Sequence, residues 1–281
     1  MRALVLGAGG QLGRDLLGVL PEALGRTRSE LSILDRGALA RELRSSNPDV
    51  VFNCAAYNAV DRAETPEGAE LARAVNAEGA GIVAEECAAA GVRLVHFSTN
   101  FVFDGTATEP YLETDAPSPL GLYARSKLEG EQRVQSAAPD ALVIRSAGLY
   151  GGAGSAVKGG SFPSRIVARA RSGEPLRVVN DQRVNPTYTR DLAQAAVELV
   201  GAGMRGLVHV VAAGCSSYWE FAVAILETAG LSVQPEPVSS EAFAAAAPRP
   251  LNGCLRSSRV PPLRHWREAL RDYWPVANPL P

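Results

Sequence analysis

The chain has 281 residues, 46% of them hydrophobic, and its 28 basic and 30 acidic side chains give a net charge of −2. That is enough apolar surface for one large or two small cores, and it leaves no basic tract for nucleic acid, no polybasic membrane anchor and no apolar run of the about 18 residues that a membrane-spanning helix needs. Cys54, Cys87, Cys215 and Cys254 are widely spaced with no CxxC pair, which reads as free, mostly buried thiols in a reducing cytoplasm, and His96, His209 and His265 are too scattered for a metal motif.

Arg2 to Leu6 (RALVL) reads as a short buried strand, not as a signal peptide. Gly7-Ala8-Gly9-Gly10-Gln11-Leu12-Gly13 follows at once, and Leu12, Leu16, Leu17 and Leu20 then recur at helical spacing. Gly7, Gly10 and Gly13 have the spacing GxxGxxG, a variant of the dinucleotide fingerprint. Such glycines permit a tight turn, close approach of backbone to a pyrophosphate, and close helix–strand packing. Glycine-rich turns are common, but this one follows the first strand of an alternating chain and opens a helix whose free N–H groups suit phosphates.

The alternation continues. Leu24 to Arg28 is a weak second strand, Arg36 to Ser45 a helix, and Val50 to Asn53 (VVFN) a third strand. Pro66 to Ala89 reads as a long helix, with Pro near its start and Gly91 just past its end. Val92 to Phe97 is a fourth strand, a helix carries Tyr123 and Lys127 to about Ala138, and Ala141 to Arg145 is a fifth strand. This pattern predicts an α/β fold, a Rossmann-type doubly wound parallel sheet covered on both faces, with its ligand at the carboxyl ends of the strands. Gly7, Asn53, Ser98 and Arg145 all lie at those ends. Residues 1–150 form the dinucleotide-binding domain of this reading. Residues 151–281 form a smaller lobe over the crevice, with some elements returning to the main sheet. In it, Gly151 to Gly160 reads as a flexible loop, Ser164–Arg171, Arg190–Val200 and Tyr218–Thr228 as helices, Leu207–Val211 as a strand, and Pro235–Pro250 as connector and short helix.

Tyr123 and Lys127 are four residues apart and share a helix face, so phenol and ammonium can meet. An ammonium favours the phenolate and lowers the Tyr pKa, which suits proton transfer to a carbonyl. The chain has only two lysines, Lys127 and Lys158, so the pairing is not a by-product of abundance. A surface Lys beside a packing Tyr has the same spacing. The fourth strand runs straight into Ser98-Thr99, whose hydroxyl can reach the same carbonyl oxygen; a turn cap is the other use of such a pair.

On these residues the chain resembles the extended short-chain dehydrogenase/reductase superfamily and, within it, the dTDP-4-dehydrorhamnose reductase family. The resemblance covers nearly the whole chain. It rests on GAGGQLG, Asn53-Cys54-Ala55-Ala56-Tyr57, Ala59-Val60-Asp61-Arg62-Ala63-Glu64, Val75-Asn76-Ala77, STNFVFDG, and Pro119-Leu120-Gly121-Leu122-Tyr123 leading to Ser126-Lys127-Leu128-Glu129-Gly130-Glu131. Gly173-Glu174-Pro175-Leu176, Asp181-Gln182, Pro186-Thr187-Tyr188-Thr189-Arg190-Asp191-Leu192-Ala193 and Arg249-Pro250-Leu251-Asn252 extend it through the second half.

The resemblance implies reduction, by NADPH or NADH, of the 4-keto group of a nucleotide-activated 6-deoxysugar by a monomer or homodimer; the sequence itself supplies no metal motif and leaves metal dependence open. It implies that Thr99 orients the keto oxygen, Tyr123 protonates it, and Lys127 tunes Tyr123 and binds the nicotinamide ribose. Gly7, Gly10, Gln11, Leu12 and Gly13 would hold the pyrophosphate, and Ala55, Ala56 and Tyr57 would line the cofactor cleft. Asn100, Phe101, Phe162, Gln182 and Arg249 would face the sugar nucleotide. Asn76 suits a structural or cofactor-side role. An epimerase, another sugar-nucleotide reductase, and a non-catalytic NADP-binding regulatory subunit belong to the same superfamily and remain alternatives.

The chain departs from the family pattern at Asn100-Phe101 (usually Asp-Tyr), Gly148 (often aromatic), Ser161-Phe162 (usually Asn-Phe) and Arg256 (often acidic), which bears on the identity of the sugar. Leu31-Ser32 stands where Leu-Asp is frequent. Without that acid, Ser32 with Arg26 and Arg28 leans towards NADPH, although these arginines could equally be solvated.

Overall fold

The computed structural model describes residues 1–152, 159–243 and 245–277. Residues 153–158 of the loop expected at 151–160 lie outside the described residues. Segments buried almost throughout form the interior strands β1 (Ala3–Leu6), β3 (Val50–Asn53), β4 (Arg93–Thr99) and β5 (Leu142–Ser146), while β2 (Leu24–Arg26) is a short, half-buried edge. From the second half come β6 (Arg177–Val179), β7 (Arg183–Val184), β8 (Gly206–His209), β9 (Ala212–Ala213), β10 (Ser216–Ser217), β11 (Glu236–Val238) and β12 (Leu263–His265). The main sheet has the order β2-β1-β3-β4-β5-β8 and is parallel throughout. The chain reverses its direction of winding between β1 and β3, and that switch point opens a crevice at the carboxyl ends of the strands.

Helices α1 (Gln11–Val19), α2 (Arg36–Ser46), α3 (Pro66–Arg73), α4 (Ala80–Ala90) and α5 (Leu122–Ala137) follow the sequence pattern closely. Thr65 caps α3 with Pro66 in its first turn, and Gly91 ends α4 with φ 67°. The long helix expected between those punctuation marks is interrupted by one π-helical turn, Ala74–Gly79, which carries Asn76. The second half adds α6 (Phe162–Arg171), α7 (Thr189–Gly201), α8 (Tyr218–Thr228) and α9 (Trp266–Ala277). A capping box between Ser217 and Glu220 starts α8.

Alternate side chains of β1 serve two cores. Ala3 and Val5 pack with Leu12 and Leu16 of α1 and with Leu192, Ala193 and Ala196 of α7, while Leu4 and Leu6 pack with Leu39, Val83, Ala84 and Val134 of α2, α4 and α5. Thus α7 and β8, from the second half, return to the main sheet. A third core holds the rest of that half together around Tyr150, Tyr188, Phe221, Trp266 and Tyr273. Among the described residues no helix is long and apolar enough to cross a membrane.

The cysteines need a correction. Cys54 and Cys87 are free, but Cys215 and Cys254 form a disulfide with their Cα atoms 6.0 Å apart. The two are 39 residues apart in sequence and meet only because the segment after Asn252 folds back beside β10, so their spacing carries no sign of pairing. Closing a loop of 39 residues restricts the unfolded chain by about 2–4 kcal/mol. Thermal unfolding under oxidising conditions is therefore expected to lose roughly 5–15 °C on adding reductant. Cys215→Ser should start at the lower temperature and show no further response to reductant.

Candidate active site

Helix α5 delivers two groups to the end of β4. Its start is fixed from outside the helix: Glu64 Oε1 accepts from the Leu122 backbone N–H at 2.8 Å, one residue before Tyr123. Gly121, at the N-cap, supplies no side-chain bond of its own. One turn on, the Lys127 ammonium is buried and donates to the Phe97 carbonyl of β4 at 2.7 Å. Burial pulls Lys127 down to about 8, while the Glu131 carboxylate and Cys54 favour the charged form. Tyr123 is also buried, with the Thr99 hydroxyl at the end of β4 the neighbour that favours its ionised form. Phe101 meets the Tyr123 ring edge-on, with centroids 5.7 Å apart.

The electrostatics differ from the sequence expectation. Instead of a phenol lowered by the ammonium, burial pushes Tyr123 up to about 12, with the Thr99 hydroxyl alone pulling the other way. The four-residue spacing correctly puts both groups on one face, but Lys127 spends its charge on a backbone carbonyl. Desolvation of a phenolate outweighs what remains. Near neutral pH, Tyr123 thus holds its proton and is an acid rather than a base.

The loop after β3 closes the other side of the crevice. Asn76, in the π turn, accepts from Tyr57 N (2.9 Å) and donates from Nδ2 to Tyr57 O and to Ser126 Oγ (both 3.0 Å). Ser126 in turn donates to the Tyr123 carbonyl at 2.7 Å, so one amide ties the Ala55–Tyr57 loop to α5. Asn53 Oδ1 accepts from Ala55 N at 3.2 Å, which leaves Nδ2 to donate to His96 Nδ1 at 3.3 Å. His96, held neutral chiefly by burial, therefore carries its hydrogen on Nε2.

The glycine loop fits a dinucleotide pyrophosphate. Gly7 has φ 75°, and a Cβ there would lie 2.7 Å from Ala55 N. A Cβ on Gly13 would lie 2.5 Å from the Gly7 carbonyl, so both positions accept only glycine. Among the described residues no side chain caps α1, which leaves the N–H groups of its first turn, at Gln11, Leu12 and Gly13, without a side-chain acceptor. With its amide oriented to suit the two donors it faces, Gln11 accepts from Tyr150 and Gly151 N–H (both 3.1 Å), fastening this loop to the segment after β5. At the end of β2, Arg26 is paired with Glu42 at 3.0 Å, whereas Arg28 is exposed and outside the ion pairs formed among the described residues. Ser32 Oγ accepts from Leu34 N at 3.3 Å. Ala56 is exposed in the same cleft region.

The five residues assigned to the sugar nucleotide are less uniform. Phe101 lines the Tyr123 ring as described. Asn100 is buried, with its amide spent inside the protein. Phe162 packs on Tyr218 and Phe221 in the third core, and Gln182 is buried with its backbone carbonyl accepting from Tyr218 N. Arg249 reaches across the crevice to Asp61 at 2.6 Å, and Asp61 also accepts from Ala247 N at 3.2 Å. In the sequence, Asn53 is marked only by its place at a strand end, and Asp61, Glu64 and Ser126 carry no role of their own. Their signal was the clustering of Asp61 and Glu64 one 3-10 turn apart in a run of the family pattern.

A parallel sheet with a glycine loop after β1, a hydroxyl at the end of β4 and a phenol and ammonium on the next helix defines an extended short-chain dehydrogenase/reductase. Within that class the chain belongs to the RmlD substrate binding domain family, whose model matches residues 1–277. It is 42% identical over 284 residues to dTDP-4-dehydrorhamnose reductase of Mycobacterium tuberculosis, covering 96% of this chain and 91% of the relative. It is 36% identical over 280 residues to spore coat polysaccharide biosynthesis protein SpsK of Bacillus subtilis, covering 97% and 96%. The crystal structure of dTDP-4-dehydrorhamnose reductase from Bacillus anthracis in complex with NADP superposes with a TM-score of 0.92 at 32% identity, covering 97% of this chain and 98% of that one.

The depressed Lys127 makes a stability prediction. Between about pH 8 and 10.5 the unfolded chain holds this proton and the folded protein does not, so Lys127 makes the fold more stable as pH rises through that window. In denaturant titrations without cofactor, the stability of wild type relative to Lys127→Met should improve by about 3 kcal/mol from pH 8 to 10.5. A constant difference would show that Lys127 keeps an ordinary pKa.

Proposed function

We propose that this protein reduces the 4-keto group of a nucleotide-activated 6-deoxysugar, with dTDP-4-dehydrorhamnose as the first substrate to test and NADPH as the preferred reductant. The observation that carries this reading is the convergence of Thr99, Tyr123 and Lys127 on the carboxyl end of β4, beside a loop in which Gly7 and Gly13 leave no room for a Cβ. When bound, NADPH supplies the hydride. The chain supplies the rest: Gly7, Gly10, Gln11, Leu12 and Gly13 hold the pyrophosphate, and the Ala55–Tyr57 loop lines the cleft. Lys127 offers its ammonium to the nicotinamide ribose. Tyr123, protonated at neutral pH, gives its proton to the keto oxygen while the Thr99 hydroxyl donates to the same oxygen. Electrons and protons balance, since the ketone gains a hydride at carbon and a proton at oxygen. Phe101, Phe162, Gln182 and Arg249 are proposed to shape the sugar-nucleotide side.

The test is NADPH oxidation with dTDP-4-dehydro-6-deoxy-L-mannose, followed by a panel of 4-keto-6-deoxysugar nucleotides. Wild type should turn over at least one of them. Tyr123→Phe should lose about 10²–10⁴-fold in kcat with NADPH titrating normally. No turnover with any 4-keto sugar, with NADPH still bound, would overturn the reading in favour of a binding subunit.

Cofactor choice has its own test. Arg28 is the exposed cation at the end of β2, where a ribose 2′-phosphate would lie. Arg28→Ala is expected to raise KM for NADPH about tenfold or more while moving KM for NADH less than about twofold. Equal changes for both cofactors would remove Arg28 from phosphate recognition.

A further inference from the structure

Asn100 follows Thr99 directly and is only 3% exposed. Its Nδ2 donates to the Gly253 carbonyl at 2.9 Å, and its Oδ1 accepts from the Thr99 hydroxyl at 3.3 Å. The direction of the amide is not arbitrary. A backbone carbonyl can only accept, so Nδ2 must face Gly253 and Oδ1 must face Thr99. Thr99 Oγ1 in turn accepts from Phe101 N at 3.2 Å, and the hydroxyl is the neighbour that favours ionisation of the Tyr123 phenol. Because Asn100 Oδ1 can only accept, the Thr99 hydroxyl points its hydrogen at Asn100 until a better acceptor arrives.

The far side of Asn100 is anchored as firmly. Gly253 N–H donates to the Arg183 carbonyl at 2.8 Å, Asn252 N–H to Gly105 O at 3.2 Å, and Leu255 N–H to Asn185 Oδ1 at 2.8 Å. Cys254 adds the disulfide to Cys215. A Cβ on Gly253 would run into Asn100 Nδ2, so the amide and this segment touch without room between them. Residues 252–255 are therefore a fixed post, and Asn100 is the strut between that post and the Thr99 hydroxyl.

The geometry points to Asn100 as a positioning residue for Thr99. It holds one rotamer and one hydroxyl direction ready for the keto oxygen, rather than contacting the sugar itself. The 3.3 Å bond is long, so the hydrogen is easily released to a ketone oxygen that offers a shorter one. In this chain a carboxylate at position 100 would set an acceptor against the Gly253 carbonyl and lose that anchor. This inference rests on the proposed ketone reduction for its kinetic test, but not for its structural one.

The experiment is a double-mutant cycle in kcat with the sugar nucleotide that wild type turns over, using Asn100→Ala, Thr99→Ala and the double variant. Asn100→Ala is expected to lower kcat about tenfold or more with KM for NADPH within about twofold. In the Thr99→Ala background the same change should cost less than about twofold, since the group it positions is gone. Asn100→Asp, which keeps the shape, should match Asn100→Ala in kcat; it serves as the folded alternative should the alanine variant not fold. An equal loss in both backgrounds, or a raised KM for the sugar nucleotide at unchanged kcat, would overturn the inference, the latter returning Asn100 to direct substrate contact. Crystal structures without substrate supply the independent readout: one Thr99 rotamer in wild type, more than one in Asn100→Asp. A single rotamer in both would also overturn it. Absence of turnover by wild type would count against the proposed reduction and leave this structural comparison standing.

Discussion

A buried ammonium on a strand carbonyl fixes the geometry of the whole site. Lys127 can place its charge on Phe97 O, at 2.7 Å, only if α5 lies tight against β4 and is rotated so that one face points at the strand end. That rotation then decides where Tyr123 is, one turn earlier on the same face. Leaving the ammonium buried without an acceptor would be costly, so any looser packing of α5 is penalised electrostatically as well as sterically. The neighbouring contacts act on the same helix: Glu64 holds its first turn, and Ser126 passes its position through Asn76 to the cofactor-side loop. Because these bonds are made by residues from three separate segments, the site is a property of the fold and not of the helix alone.

The same burial sets the direction of the chemistry. A phenol held at about 12 and an ammonium near 8 are both protonated at neutral pH, so the free site stores protons rather than accepting them. That state suits delivery of a proton to a ketone, and it suits the reverse oxidation poorly unless a bound cofactor changes the local charge. The Tyr-x-x-x-Lys spacing gives proximity but says nothing about how much of each charge is already committed.

Elements whose signal is local were legible in the sequence. The strand Val50–Asn53 and the helix Tyr218–Thr228 have the boundaries read from periodicity and punctuation, because uniform burial in the first and a Ser-x-x-Glu cap in the second leave little choice. Strand β2 ends at Arg26, two residues short of the Arg28 that its sequence suggests, since a half-buried edge strand lacks a sharp apolar limit. Helix α9 was not foreseen, although Trp266, Leu270 and Tyr273 share one buried face; its helical period was hidden by aromatic residues and surrounding prolines. What the sequence could not show was contact between distant segments. Arg249 pairs with Asp61 across 188 positions, Cys254 finds Cys215, and Asn100 leans on Gly253 across 153. Residue type alone marks Asn100 and Arg249 as polar and near the site. Only the folded chain shows that their side chains are engaged by other parts of the protein.

The central claim is that the site moves a hydride onto a sugar carbonyl carbon and keeps it there, in contrast to an epimerase that returns it. The most direct measurement uses NADPH carrying deuterium at both C4 positions of the nicotinamide and follows the sugar nucleotide by NMR and mass spectrometry. The account predicts one deuterium on C4 of the 6-deoxysugar for each cofactor oxidised. Deuterium that stays with the cofactor while the sugar is converted, or a label at any other sugar carbon, would contradict it.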